Sequence, residues 1–264
     1  LKPSAKRRAV YWNTVSSSTV FHPMIQEEPL SIRIRKSPYA VVMRTPGDEF
    51  AHAAGLCLAE GIVDTPDDIA DLRFCGGPDA DIVTVTLTAA RQKMIRSILK
   101  HEGGPGAWGM AGGGFVQRLR GVTERLPDTA FMDIRRAYRL LEDLADLQPL
   151  RRRTRAAHAA ALFSVDGKPL CIAEDVGRHN ALDKAVGKLF LAGTLGSASL
   201  LVLSSRISFE LVQKAARARI PIILAVSRPT TLALALAFDR NITVACRAKE
   251  SGLYIFTGRQ RLVE

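Results

Sequence analysis

Aromatic residues make up only 6% of the chain, and its four cysteines (Cys57, Cys75, Cys171, Cys246) lie far apart without paired spacing. That excludes a disulfide scaffold and fits a reducing, cytoplasmic setting. Long apolar runs are also missing. The most hydrophobic window, residues 220–238, is interrupted by Arg228 and Pro229, so it does not read as a membrane span. Lys2, Lys6, Arg7 and Arg8 run into Asn, Thr and Ser residues rather than into the apolar stretch of a signal peptide. A chain that opens on Leu1 is expected to lack its initiator. No short repeat occurs and apolar content is ordinary, which excludes a fibrous or disordered protein. What is left is a 264-residue globular chain, 47% hydrophobic, with room for one large or two small domains.

One sign of charge dominates. Lys and Arg total 37 against 26 Asp and Glu, for a net +11, and the pI is near 9.9. Such a surface attracts polyanions: nucleic acid, an anionic cofactor or an acidic partner protein. Nucleic acid is disfavoured, because the basic runs 6–8 and 151–155 lack interleaved aromatics and no zinc-finger or RNP-like motif is present.

The chain divides into a basic N-terminal tail (1–27), an N-terminal mixed α+β domain (28–100), a Gly-rich flexible loop or linker (101–130) and a C-terminal α/β domain (131–264). In the second zone, residues 30–34 alternate with a period of two and residues 82–87 are rich in β-branched side chains, both strand signals. Thr45-Pro46-Gly47-Asp48-Glu49 reads as a helix start capped by Thr45, with the helix ending near Gly61. In the loop, His101-Glu102-Gly103-Gly104-Pro105-Gly106 and Gly109-Met110-Ala111-Gly112-Gly113-Gly114 are too glycine-rich to pack a core. Residues 133–147 place Ile134, Ala137, Leu141 and Leu144 on one helical face. Beyond them a hairpin turns at Asp166-Gly167. Helices at 178–191, 209–219 and 230–238 then alternate with short apolar strands at 200–203, 222–226 and 242–246, and residues 253–256 supply an edge strand. That alternation predicts a mostly parallel sheet covered on both faces.

In such sheets ligands bind outside the carboxyl ends of the strands. Four polar segments fall there: 174–180, 204–208, 227–231 and 247–252. Most combine hydroxyl side chains with Arg or Lys, and several lead into helix N-termini, whose free N–H groups attract anions. Arg206 and Arg228 are placed for bidentate phosphate contacts, with Ser208 and Ser227 beside them. These features point to a phosphorylated ligand, although Walker and dinucleotide glycine fingerprints are absent. Ser and Thr serving only as helix caps is the plainer alternative. His158, His179, Glu174 and Asp175 invite a metal reading, but the ligand spacing of a zinc deaminase is missing and no metal is expected. His179 fits better as a helix-start histidine bonding a carboxylate or phosphate. No Gly-x-Ser-x-Gly elbow supports a serine nucleophile. Cys57, Cys171 and Cys246 read as buried, and Cys75, before Gly76-Gly77-Pro78, as the thiol nearest solvent.

The run Glu174-Asp175-Val176-Gly177-Arg178-His179-Asn180-Ala181-Leu182-Asp183-Lys184 resembles the formate dehydrogenase accessory sulfurtransferase family (FdhD). Similar stretches are His158-Ala159-Ala160-Ala161, Ser204-Ser205-Arg206 with Glu210 and Gln213-Lys214, Met43-Arg44-Thr45-Pro46-Gly47 and Ala59-Glu60-Gly61-Ile62. The resemblance covers nearly the whole chain from Glu27. It implies a cytoplasmic homodimer that takes persulfide sulfur from a cysteine desulfurase. The sulfur passes to the molybdenum bis(guanine dinucleotide) cofactor before that cofactor enters formate dehydrogenase. It further implies a C-terminal three-layer α/β/α domain of cytidine-deaminase-like fold that binds a GDP-like guanine nucleotide. The implied contacts include His158, Asp175, Arg178, His179 and the stretch Arg247, Ala248, Lys249, Glu250, Ser251 and Gly252. The family's Cys-x-x-Cys falls here on Met110 and Gly113, which cannot form a persulfide. Sulfur transfer would then need another thiol, with Cys75 first in line. The alternative is a Cys-x-x-Cys-less paralogue that binds guanine nucleotide or cofactor without transferring sulfur.

Overall fold

The computed structural model describes residues 2–35, 37–77, 80–95, 124–249 and 251–264. The glycine clusters of the expected loop, with Met110 and Gly113, lie outside them. The segment expected to be a basic tail instead forms two antiparallel strands, β1 (Ser4–Trp12) and β2 (Ser17–Ile25). Asn13 shapes the turn between them, its Oδ1 accepting from the N–H groups of Val15 and Ser16 at 2.9 and 2.7 Å. The sequence conceals this hairpin because most of its side chains are exposed on both faces, so no burial alternation marks it.

Strands β3 (Glu28–Ile34), β4 (Ser37–Arg44), β5 (Ile69–Cys75) and β6 (Asp81–Leu87) form a sheet in the order β4-β3-β6-β5. Helix α1 (Glu49–Ala59) begins later than Thr45. Its N-cap residue is Asp48, whose φ of 61° lies in the left-handed region, and Thr45 is committed elsewhere. Gly61, at φ +73°, reverses the chain after α1. The short helix α2 (Ala89–Met94) completes this half among the described residues.

The C-terminal half opens with β7 (Met132–Asp133), α3 (Ile134–Asp143) and α4 (Pro149–Thr154). Asp133 caps α3 by accepting from the Arg136 N–H at 2.8 Å. Strands β8 (His158–Phe163) and β9 (Pro169–Asp175) make the expected hairpin, with Gly167 at φ +69°. There follow α5 (Arg178–Leu191), β10 (Leu200–Leu203), α6 (Phe209–Arg217), β11 (Ile222–Ala225), α7 (Thr231–Asp239), β12 (Thr243–Arg247), β13 (Leu253–Thr257) and β14 (Leu262–Val263). The large sheet runs β13-β12-β11-β10-β8-β9. Strands β10, β11 and β12 are mutually parallel, while β8 is antiparallel to both β10 and β9.

Alternate residues of this sheet feed two separate cores. Ala160, Leu162, Leu201, Leu203, Ile223, Ala225 and Val244 face the core shared with α1, α5, α6 and α7. Ala159, Ala161, Phe163, Leu200, Val202, Ile222 and Leu224 face a second core closed by Ala137 and Leu141 of α3. Burial on both faces explains why these strands read as unbroken apolar runs. The larger core also takes in Leu30, Ile32, Val83 and Val85 of the N-terminal sheet, so the two sheets share one interior. Helices α1 and α5 meet almost backbone to backbone. A Cβ at Gly187 would lie 1.8 Å from the Ala51 carbonyl oxygen, and one at Gly55 2.0 Å from that of Asp183.

Candidate functional site

The topology brings all four polar segments to a single edge. Because β9, β10, β11 and β12 point the same way, the turns after Asp175, Leu203, Ala225 and Arg247 open on one side, beside the start of β8 at His158. The loops after β10 and β11 are pinned together there: the Ile207 N–H donates to the Arg228 carbonyl, and the Thr230 N–H to the Ile207 carbonyl.

At the centre of this edge, two buried nitrogens are left without hydrogen-bond partners. Arg178, in the first turn of α5, has a buried Nε with no hydrogen-bond partner, and His158 has a buried Nδ1 in the same condition. Burial, then the guanidinium of Arg206, holds Arg178 below the ordinary arginine range. Burial, then Arg178 and Arg151, lowers His158. His179 is driven to about 4 by burial and by the neighbouring Arg178 and Lys214. It is therefore neutral at pH 7, with Nε2 3.3 Å from the Ser208 hydroxyl and 3.8 Å from Glu210 Oε2. Burial works to raise Glu210, but hydrogen bonds from its own backbone and from Ser208 outweigh it and hold the carboxyl low. Ser208 occupies the N-cap position of α6, and the Glu210 carboxylate already takes one N–H of that helix's first turn. Arg206 is exposed beside it. A site with two guanidiniums, two imidazoles and a helix N-terminus is suited to a phosphate group.

Other expected contacts are committed elsewhere. Asp175 is fully buried and accepts from the Thr45 N–H, the Gly177 N–H, Asn180 Nδ2 and Lys184 Nζ. Its carboxylate is committed to the turn after β9 and to Lys184. Thr45 accepts in return from the Val176 N–H at 3.0 Å, which ties the N-terminal half to the functional edge. Glu174 caps α4, taking the Leu150 and Arg151 N–H groups at 2.7 and 2.8 Å. Arg228 lies over the ring of Tyr254, 4.1 Å from its centroid, and donates to Cys246 Sγ. Arg247 pairs with Glu142 at 3.0 Å. The Ala248 N–H closes onto the Gly252 carbonyl, with Lys249 and Ser251 exposed on that turn and Ser227 exposed on its own. Glu250 lies outside the described residues. Of the thiols, Cys57 and Cys246 are buried, Cys171 is half-buried rather than buried, and Cys75 is exposed.

Sequence reasoning passed over Arg151, whose charge reaches His158, and Glu210 and Lys214, which flank His179. Residues 210 and 214 belong to a stretch already singled out, but nothing in their spacing places them beside α5. Among the described residues no three His, Cys, Asp or Glu side chains cluster as metal ligands, and no helix is long and apolar enough to cross a membrane.

With this geometry in hand, comparison with known proteins is direct. Residues 25–263 match the FdhD/NarQ family. The chain is 35% identical over 268 residues to the sulfur carrier protein FdhD of Streptomyces coelicolor, covering 97% of this chain and 95% of that protein. It is 32% identical to the protein of the same name from Mycolicibacterium paratuberculosis, covering 99% and 100%. A crystal structure of a candidate formate dehydrogenase accessory protein from Desulfotalea psychrophila superposes with a TM-score of 0.80 at 21% identity, over 99% of this chain and 100% of that one. That likeness speaks to the fold, and the sequence matches to the family: the chain belongs to the FdhD/NarQ family.

Proposed function

We propose that this protein serves formate dehydrogenase as an accessory factor by holding the molybdenum bis(guanine dinucleotide) cofactor through its phosphates at the strand-end edge. The carrying observation is the buried, unpartnered nitrogen pair of Arg178 and His158 beside Arg206. A buried polar group without a partner is costly, and a bound phosphate would satisfy both. A GDP-like nucleotide presents the same diphosphate. Helices on both sides of the C-terminal sheet support the cytidine-deaminase-like description of this half, and a cytoplasmic homodimer belongs to the same reading.

Sulfur carriage is the second reading. The relatives' name supports it, and so does one observation: among the four cysteines Cys75 is the exposed thiol, open to a cysteine desulfurase. Intact-mass analysis after incubation with a desulfurase and cysteine tests it. Added sulfur that disappears in Cys75→Ser establishes a relocated carrier thiol. No added sulfur leaves a cofactor-binding protein without the transfer step.

Calorimetric titration with GDP tests the first reading. Arg206→Ala is expected to weaken binding by about 1–3 kcal/mol, the range for a hydrogen bond to a charged group. Unchanged affinity would put the ligand on other turns.

A further inference from the structure

The β1–β2 hairpin stands apart from everything used above. The family match begins at residue 25, so the hairpin lies outside what that match accounts for. An isolated two-stranded ribbon is marginally stable in water. Among the described elements its principal packing beyond itself is β2 against α4. The pairing register puts Lys6 opposite Pro23, Arg8 opposite Phe21, Val10 opposite Thr19 and Trp12 opposite Ser17. Cross-strand partners share a face, so one face of the ribbon carries Lys6, Arg8, Val10, Trp12, Phe21 and Pro23. Val10, Trp12 and Phe21 are 67%, 70% and 67% exposed. Large apolar side chains concentrated on an exposed surface mark an interaction site.

Charge narrows the partner. The first 26 residues hold four cations and no acid. The adjoining segment, with α4 at its centre, adds the exposed Arg151, Arg152, Arg153 and Arg155. A second copy of a chain with net charge +11 offers poor complementarity to such a face. On the ribbon face, apolar side chains outnumber the cations, and aliphatic Val10 offers no base-stacking surface. Single-strand nucleic-acid sites instead combine a basic groove with successive aromatic platforms. A mixture of aromatic, aliphatic and arginine side chains is the composition of protein–protein interface cores. We infer that the hairpin, extended by the arginines around α4, is a docking surface for a partner protein that presents an acidic surface with exposed apolar side chains.

The test uses the full chain and three fluorescent probes of similar charge: a 16-residue peptide alternating Glu with Leu and Phe, a 16-residue peptide alternating Glu with Ser, and a nine-nucleotide single-stranded DNA. Fluorescence anisotropy should show the acidic–apolar peptide binding at least tenfold more tightly than either other probe. Trp12→Ser/Phe21→Ser and Lys6→Glu/Arg8→Glu should each weaken that binding at least tenfold. Arg206→Ala, at the strand-end edge, should leave it unchanged. Sedimentation velocity and thermal melting of each variant confirm that the body of the protein is folded. Three outcomes overturn the inference. DNA binding as tight as the acidic–apolar peptide makes the surface a nucleic-acid site. A dimer that Trp12→Ser/Phe21→Ser dissociates makes it a contact between copies of this chain. Peptide affinity indifferent to both double variants removes the hairpin from the interface.

Discussion

The first two turns of α5 handle charge in opposite ways. Arg178 and the neutral His179, in the first turn, sit on the sheet edge beside Arg206, and the Arg178 Nε is left without a hydrogen-bond partner. Asp183 and Lys184, one turn on, are buried and fully matched: Asp183 holds Lys214 at 2.7 Å, and Lys184 holds Asp175 at 2.6 Å and the Thr45 carbonyl. The closed pairs knit α5 to α6, to the end of β9 and to the Thr45 turn, while the Arg178 guanidinium stays open to an anion. One helix thus separates structural from binding charge within five residues, about 7.5 Å along its axis.

The largest effect should come from breaking a closed pair. Asp183→Ala strands the Lys214 ammonium in the core and is expected to cost about 3–5 kcal/mol in urea unfolding. The Asp183→Leu/Lys214→Met double variant should recover most of it. A single variant as mild as the double would show that the pair is no more closed than the edge. Next in size, Arg178→Ala should lower GDP affinity by about 1–3 kcal/mol with no loss of melting temperature, because it removes repulsion with Arg206. A large fall in melting temperature would blur the distinction between the two turns.

The pH dependence sharpens it further. His179 titrates near 4 in the folded protein, against about 6.5 for an unperturbed histidine. Between those values the unfolded chain takes up a proton that the folded chain refuses. Stability should therefore fall as pH drops from about 6.5 toward about 4. His179→Gln should flatten the slope measured by urea midpoints, leaving the contributions of His52 and His158, which are also held low by burial and neighbouring cations. A slope identical to the parent's would mean that His179 is charged in the native state. The smallest effects belong to the outer arginines. Arg228→Ala and Arg247→Ala, already engaged by Tyr254 and Glu142, should each change stability by less than about 0.5 kcal/mol and alter GDP affinity less than Arg178→Ala does.

Legibility followed burial. Strands β10, β11 and β12 and helices α5, α6 and α7 were visible within a residue or two, because strands covered on both faces must be apolar throughout and the polar turns between them mark where each helix begins. Strands β4 and β5 were missed: they are the edges of their sheet and carry mixed burial patterns. Helix α4 was missed because its six residues, Pro149–Thr154, owe their N-terminus to the Glu174 carboxylate some two dozen residues away. Thr45 read as a cap because its local pattern is that of one, and only the approach of the turn after β9 revealed its actual partners.

The sequence by itself determined the alternation of apolar strands and helices, the basic balance and the strand-end positions of Arg178, His179, Arg206 and Ser208, since periodicity and turn chemistry are local properties. Tertiary structure alone decided which of those charges are free. Whether Asp175 faces a ligand or Lys184, and whether Arg228 meets a phosphate or the Tyr254 ring, depends on neighbours distant in the chain, because electrostatic pairing is set by proximity in space.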